Sequence, residues 1–246
     1  MKLSDKQKNA EKKDGQTQKV LDYLNAENEY LQAKMKHTEP LQEKLYNEII
    51  GRIKQTDESV PNKDNGYWYY NRYEEGQEYP IYCRKKGTLE ASEEILLNVN
   101  DLAKGHDYFQ VRGLSVSEDN NLLAYGVDTV SRRRYTIYIK DLRTGRITEQ
   151  PVPNTEGYVV WANDNKNFFY TMKDSVTLRS ERIYRHKLTT DPATDPLIYT
   201  ENDETFYTGI DKSKSDKYLL IWSGSTLTNH YQILNATTPQ EKFSEF

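Results

Sequence analysis

Three features predict a mainly β fold: a strand-forming pattern from Gly66 onward, its recurrence about every 50 residues, and two apolar stripes at helical spacing ahead of it. The expected architecture is a partial β-propeller of about three to four blades, preceded by two N-terminal α-helices. In the first helix Leu21, Leu24, Leu31 and Met35 fall on one face, with Val20 and Tyr23 widening it. Thr38 and Pro40 mark a break and a new start, because proline is tolerated only in a first helical turn. The second helix aligns Leu41, Leu45 and Ile49, with Tyr46, Ile50 and Ile53 beside them. Ahead of these helices Met1–Thr17 is polar and lysine-rich, and is expected to be a disordered arm. A polar linker, Gln55–Asn65, follows them. The expected division is an arm over 1–17, a helical segment over 18–55 and an incomplete propeller over 66–246.

The repeat consists of strand classes that recur in step. One class holds Tyr67–Tyr70, Leu122–Tyr125, Phe168–Tyr170 and Tyr218–Trp222. The last three each follow a tight Asn/Asp/Ser/Lys turn, at 117–121, 163–167 and 213–217. A second class carries Tyr82, Tyr138, Tyr184 and Tyr231, again at intervals of about 50 residues. A third, shorter class is seen at Ile95–Leu97, Ile147–Glu149 and Leu197–Tyr199. One blade cannot bury both faces of its sheet, so blades stack around a channel. A β-sandwich with accidental spacing is the alternative reading, and the propeller is favoured because two strand classes repeat together.

Composition excludes several functions. Lys plus Arg number 34 against 38 Asp plus Glu, a net charge of −4, which gives no footprint for nucleic acid or an anionic membrane. No run approaches the roughly 20 apolar residues of a membrane helix. With 20 Tyr and 35% apolar residues, much of the core must be aromatic. The single Cys83 excludes an internal disulfide and a cysteine metal cluster, so no metal and no cofactor are expected. No secretion signal is visible, which favours a cytoplasmic over a periplasmic location.

No catalytic residues are assigned. A serine hydrolase needs a Gly-x-Ser-x-Gly elbow with His and Asp in reach, and the nearest string is Ser223-Gly224-Ser225. The four histidines, His37, His106, His186 and His230, read as surface or strand residues. The turns around Asp119, Asp164 and Asp216 lack the spacing of a calcium loop and read as hairpin turns. Tyr67–Tyr70 reads as blade core in preference to a base-stacking platform, since no basic stripe accompanies it. The densest charge is Ser131-Arg132-Arg133-Arg134-Tyr135. It is either a solvated loop tip or a guanidinium cluster at a domain interface, where the arginine fork suits carboxylates.

Several strings resemble the N-terminal half of the prolyl oligopeptidase family, in its oligopeptidase B branch. They are Val20–Asn28, Leu45–Ile53, Asn65–Tyr70, Tyr79–Tyr82, Ser131–Tyr135, Val160–Asp164, Leu197–Tyr199 and Asp203–Tyr207, in the family's order over about residues 19 to 238. The resemblance implies a seven-bladed propeller over an α/β-hydrolase domain that cleaves short peptides after Arg or Lys by a Ser-His-Asp mechanism. It also implies that the propeller restricts access to the cleft and that the N-terminal helices pack on the hydrolase domain. The sequence departs from the family where Glu11–Thr17 replaces the usual Asp-x-Tyr-x-Trp-Leu segment. The remaining blades and the hydrolase domain lie outside it. The chain is therefore expected to be an inactive N-terminal fragment, with short peptides and a catalytic hydrolase domain as partners. Arg132, Arg133 and Arg134 are expected at the substrate or interdomain cleft. The alternatives are a stand-alone propeller-like adaptor, which predicts a folded monomer, and a pseudogene product, which predicts poor solubility from its open edges.

Overall fold

The computed structural model describes residues 14–246. The chain divides into two compact units at Gln55/Thr56.

In the first unit, helix α1 spans Gly15–Met35. Asp14 caps it, its carboxylate accepting from the Thr17 amide at 2.7 Å. The expected arm thus falls outside the described residues over 1–13, and Gly15–Thr17 already belong to the helix. A 3-10 turn, Lys36–Thr38, joins α1 to α2, Glu39–Ile50, with Pro40 in the first turn as anticipated. Leu24, Leu31, Leu41, Leu45 and Ile49 are all exposed.

The second unit is built from antiparallel strands. Strands β1 (Asn62–Asp64), β2 (Tyr67–Arg72), β3 (Ile81–Lys86) and β4 (Glu93–Asn98) form one sheet in sequence order. Pairing therefore begins inside the segment read as a linker, and Glu58 also bridges to Arg72. After a single turn of helix α3 (Val99–Leu102) come β5 (Gln110–Val116), β6 (Leu122–Asp128), β7 (Tyr135–Asp141), β8 (Val152–Trp161), β9 (Asn167–Lys173), β10 (Ser180–Lys187) and β11 (Leu197–Thr200). These seven strands make one sheet. The last sheet holds β12 (Tyr207–Lys212), β13 (Tyr218–Gly224), β14 (Asn229–Asn235) and β15 (Ser244–Glu245), so the fourth repeat is a complete four-stranded unit.

The seven-stranded sheet is two blades sharing β8. Its first residues continue an outer strand, with Ile147 bridging Lys140 and Val152 opposite Ile137. From Thr155 the same strand pairs with β9, as the inner strand of the next blade. Gly157, at φ 91°, sits at the switch, where a side chain would be strained and would strike Tyr135 and Arg112. The blade order is thus β1–β4, β5 to the start of β8, the rest of β8 to β11, and β12–β15.

Strand alternation builds the core between blades, since successive side chains point to opposite faces. Leu123 and Tyr125 join Leu96, Leu97 and Phe109 against the first blade, while Ala124 joins Ile137, Trp161, Phe168 and Tyr170 against the third. Phe169 turns the other way and, with Ile183 of its own blade, packs with Leu219, Ile221 and Leu234 of the fourth. Two tyrosines of the second strand class, Tyr138 and Tyr184, have equivalent roles. Tyr125 stacks on Tyr138 at 5.8 Å and Tyr170 on Tyr184 at 5.7 Å, each pair directly opposite across the strands. Tyr70 is buried and Tyr69 packs in the first interblade core, in line with the blade-core reading.

The Asn/Asp turns are hairpin turns that also lace adjacent blades. Asn120, Asn165 and Asp216 take left-handed backbone angles (φ 63°, 54° and 57°), which short polar side chains tolerate. Asn65 donates to the Glu118 carbonyl at 2.7 Å, the Asp119 amide donates to Asn165 at 2.9 Å, and Asn163 donates to the Asp216 carbonyl at 2.8 Å. Each bond joins one blade to the next.

Candidate functional site

The arginine run lies on the β6–β7 connection, at the opposite end of the blades from the Asn/Asp turns. Asp128, the buried last residue of β6, dictates its shape. One carboxylate oxygen accepts from the Val130 amide at 2.9 Å, the other from the amides of Arg132 and Arg133 at 2.9 and 2.7 Å. Ser131 and Arg133 take left-handed backbone angles to make this possible. Arg132, Arg133 and Arg134 are consequently exposed on an ordered loop. Arg134 reaches Asn154 on β8 at 2.5 Å.

Beneath the loop lies a charged network. Lys173, at the end of β9, is buried; its ammonium donates to the Arg133 carbonyl at 3.0 Å and pairs with Glu156 at 2.7 Å. Glu156 also accepts from Ser180 at 2.8 Å and Arg112 at 3.1 Å. The Arg112 guanidinium lies over the Tyr158 ring at 4.2 Å, a cation–π contact. This network borders a cavity of about 640 Å³ that also includes Arg133, Arg179, Glu181, Glu204 and Tyr207. Its size suits a small ligand or a few residues of peptide. Arg179 organises the far wall, donating to the carbonyls of Glu201 and Phe206 at 3.1 and 3.0 Å and to that of Asp203. The loop from β11 to β12 is thereby held so that Glu204 and Tyr207 border the cavity.

Of the three arginines that sequence reasoning singled out, Arg133 borders the cavity and Arg132 and Arg134 do not line it; Asp128, Glu156, Lys173 and Glu204 were missed. Only Asp128 carried a local signal, an aspartate before a Ser-Arg loop. His186 is one of the strand histidines, in β10, and it is buried, with Nδ1 2.9 Å from Asp195, which also accepts from Tyr170 at 3.0 Å. Burial and the Asp195 charge raise the Tyr170 hydroxyl above its usual range. The His186 ring packs at 4.9 Å on Phe168, and its hydrogen-bond partner is Asp195, so it serves the interior of a blade. Ser223, of the Ser-Gly-Ser string, lies within β13 with its hydroxyl 3.0 Å from that of Tyr199. It occupies a strand, where a nucleophile elbow would need a strand-to-helix turn.

Comparison with known proteins gives a consistent result. Residues 11–246 match the prolyl oligopeptidase N-terminal β-propeller domain family. Dipeptidyl aminopeptidase BI of Pseudoxanthomonas mexicana is 41% identical over 239 residues, covering 91% of this chain and 33% of that protein. Protease 2 of Moraxella lacunata is 33% identical, covering 92% of this chain and 34% of the relative. The chain thus spans about a third of the length of these curated relatives. Among solved structures, oligopeptidase B from Leishmania major superposes with a TM-score of 0.82 at 30% identity, over 88% of this chain and 31% of that one. Prolyl oligopeptidase B from Galerina marginata, at 18% identity and a TM-score of 0.75, shares the fold. The chain belongs to the prolyl oligopeptidase N-terminal β-propeller domain family.

Proposed function

We propose that the chain is the N-terminal part of an oligopeptidase B-like serine endopeptidase that cleaves short peptides after Arg or Lys. The propeller gates access to the cleft, the exposed apolar faces of α1 and α2 pack on a hydrolase domain, and the chain by itself is inactive. Arg132, Arg133 and Arg134 face the substrate or interdomain cleft, where the arginine fork suits carboxylates. The observation that carries this reading is the likeness to two structures of oligopeptidase B, at TM-scores of 0.82 and 0.81 and 30% identity. The exposed, Asp128-ordered arginine loop supports its last part.

The relative called dipeptidyl aminopeptidase BI favours a second reading, in which dipeptides are released from a free amino terminus. One assay separates the two, run on this chain and on a polypeptide that carries it together with a hydrolase domain. Cleavage of an N-acetylated peptide after Arg, by the longer polypeptide only, is expected on the first reading. A strict need for a free amine supports the second, and turnover by the purified short chain overturns the claim of inactivity. Replacing the three arginines by glutamine in the longer polypeptide is expected to change its kinetics; unchanged kinetics refute their place in the cleft.

A further inference from the structure

Most of the charged groups around this cavity, which is bordered by residues of the second, third and fourth blades, already have partners. Lys173 and Arg112 are taken by Glu156. Asp174 caps its own turn, accepting from the amides of Val176 and Thr177 at 2.9 and 2.7 Å. Arg179 holds backbone carbonyls, and Glu181 pairs with Arg179 and Arg182 at 3.3 and 3.1 Å. Among the described residues, two ionic side chains on the wall are left with neither a hydrogen bond nor an ion pair: the Arg133 guanidinium and the Glu204 carboxylate. The Tyr207 hydroxyl is likewise unengaged, and the residue is 62% exposed. Both ionic groups sit on backbone fixed from beneath, Arg133 by Asp128 and Lys173, and Glu204 by the Arg179 clamp on the carbonyls of its neighbours. A cation and an anion are thus held on one rim with their own hydrogen-bonding capacity open.

We propose that this cavity is a binding site for short peptides with both ends free. The α-carboxylate is received by Arg133, whose fork matches it in bidentate geometry. The α-ammonium is received by Glu204, with Tyr207 alongside. At neutral pH both ends of such a peptide are charged, whereas an internal peptide segment offers neither charge. The site therefore selects short peptides with unblocked ends over internal segments of a longer chain. The inference deepens the peptide-handling reading above, but it belongs to residues of this chain alone and needs no catalytic domain for its test.

The test is isothermal titration of the chain with trialanine, N-acetyl-trialanine and trialanine amide. Free trialanine is expected to bind, with either block weakening it roughly tenfold, as loss of one charge-assisted hydrogen-bonded contact does. Arg133→Gln is expected to weaken free trialanine similarly and to become indifferent to amidation. Glu204→Gln is expected to become indifferent to acetylation. Both side chains are exposed, so the fold is retained in each variant, as circular dichroism checks. No saturation at millimolar trialanine, equal binding of the blocked peptides, or blocks that remain additive with the matching variants would each overturn the site. Failure here with intact cleavage by the longer polypeptide leaves the peptidase reading standing, so the two failures are distinguishable.

Discussion

Replacing Gly113 by alanine tests how closely β5 approaches β8. A Cβ on Gly113 would lie 2.0 Å from the Gly157 carbonyl oxygen, 2.8 Å from its carbon and 2.9 Å from the Tyr158 Cα. All three are backbone atoms on β8, so no side chain can rotate away and the strands must part. Gly113 also has φ +67°, a left-handed angle that costs a side chain about 1 kcal/mol. Overpacking against this backbone adds about 1–3 kcal/mol, so a total near 3 kcal/mol is expected. For a unit of this size that is a fall in Tm of roughly 6–12 °C. Gly145 supplies the control. It has φ +75° and nothing within 4 Å of where a Cβ would lie, so Gly145→Ala should cost only the backbone part, about 1 kcal/mol. The assay is thermal and urea unfolding of both variants. Equal losses for the two would refute the close approach of the second and third blades.

Other groups give sharper local tests. Glu93 accepts from Arg72 and from Tyr70, at 3.0 and 2.6 Å, and the Arg72 hydrogen bond above all holds its pKa at about 2. Its unfolded value is near 4.5, so its contribution is complete above about pH 4.5 and is lost as pH falls through 2. With solvent screening the effect is about 1 kcal/mol, and Glu93→Gln should remove that part of the acid dependence in urea titrations at pH 6 and pH 3. Burial pushes the Cys83 thiol up to about 12, so labelling by iodoacetamide at pH 8 should be slow until urea unfolds the sheet; fast labelling of the native chain would contradict this. Asp128→Ala removes the acceptor of three backbone amides and should free the arginine loop. A loss of about 2 kcal/mol and new tryptic cuts at Arg132–Arg134 are expected, and unchanged digestion would refute the Asp128 account.

How far the fold could be read from sequence depended on where each strand lies in its blade. The middle strands β2, β6, β9 and β13 announced themselves, because burial, on both faces in β6 and β9, demands apolar runs such as Phe168–Tyr170 and the hairpins ahead of three of them demand Asn or Asp. The first strands were invisible. Asn62–Asp64 is wholly polar and exposed, Gln110–Val116 is interrupted by Gly113, and Val152–Trp161 serves two blades in succession. Glycine there reflects backbones in near contact, a constraint set by neighbouring blades and absent from local periodicity. The site shows the same division. Three adjacent arginines are legible as charge, but Glu156, Lys173 and Glu204 reach the cavity from separate strands and loops. His186 looked like any strand histidine, since Asp195 meets it only after β10 and the following loop have folded together.

The central claim is that these residues shape and guard a peptide cleft while the bond-breaking nucleophile lies outside them. A fluorophosphonate probe, which labels the activated serine of a serine hydrolase, tests it on the purified chain. The account predicts no covalent adduct by intact-mass spectrometry, Ser223 and Ser225 included. Stoichiometric labelling of any serine in this chain would contradict it.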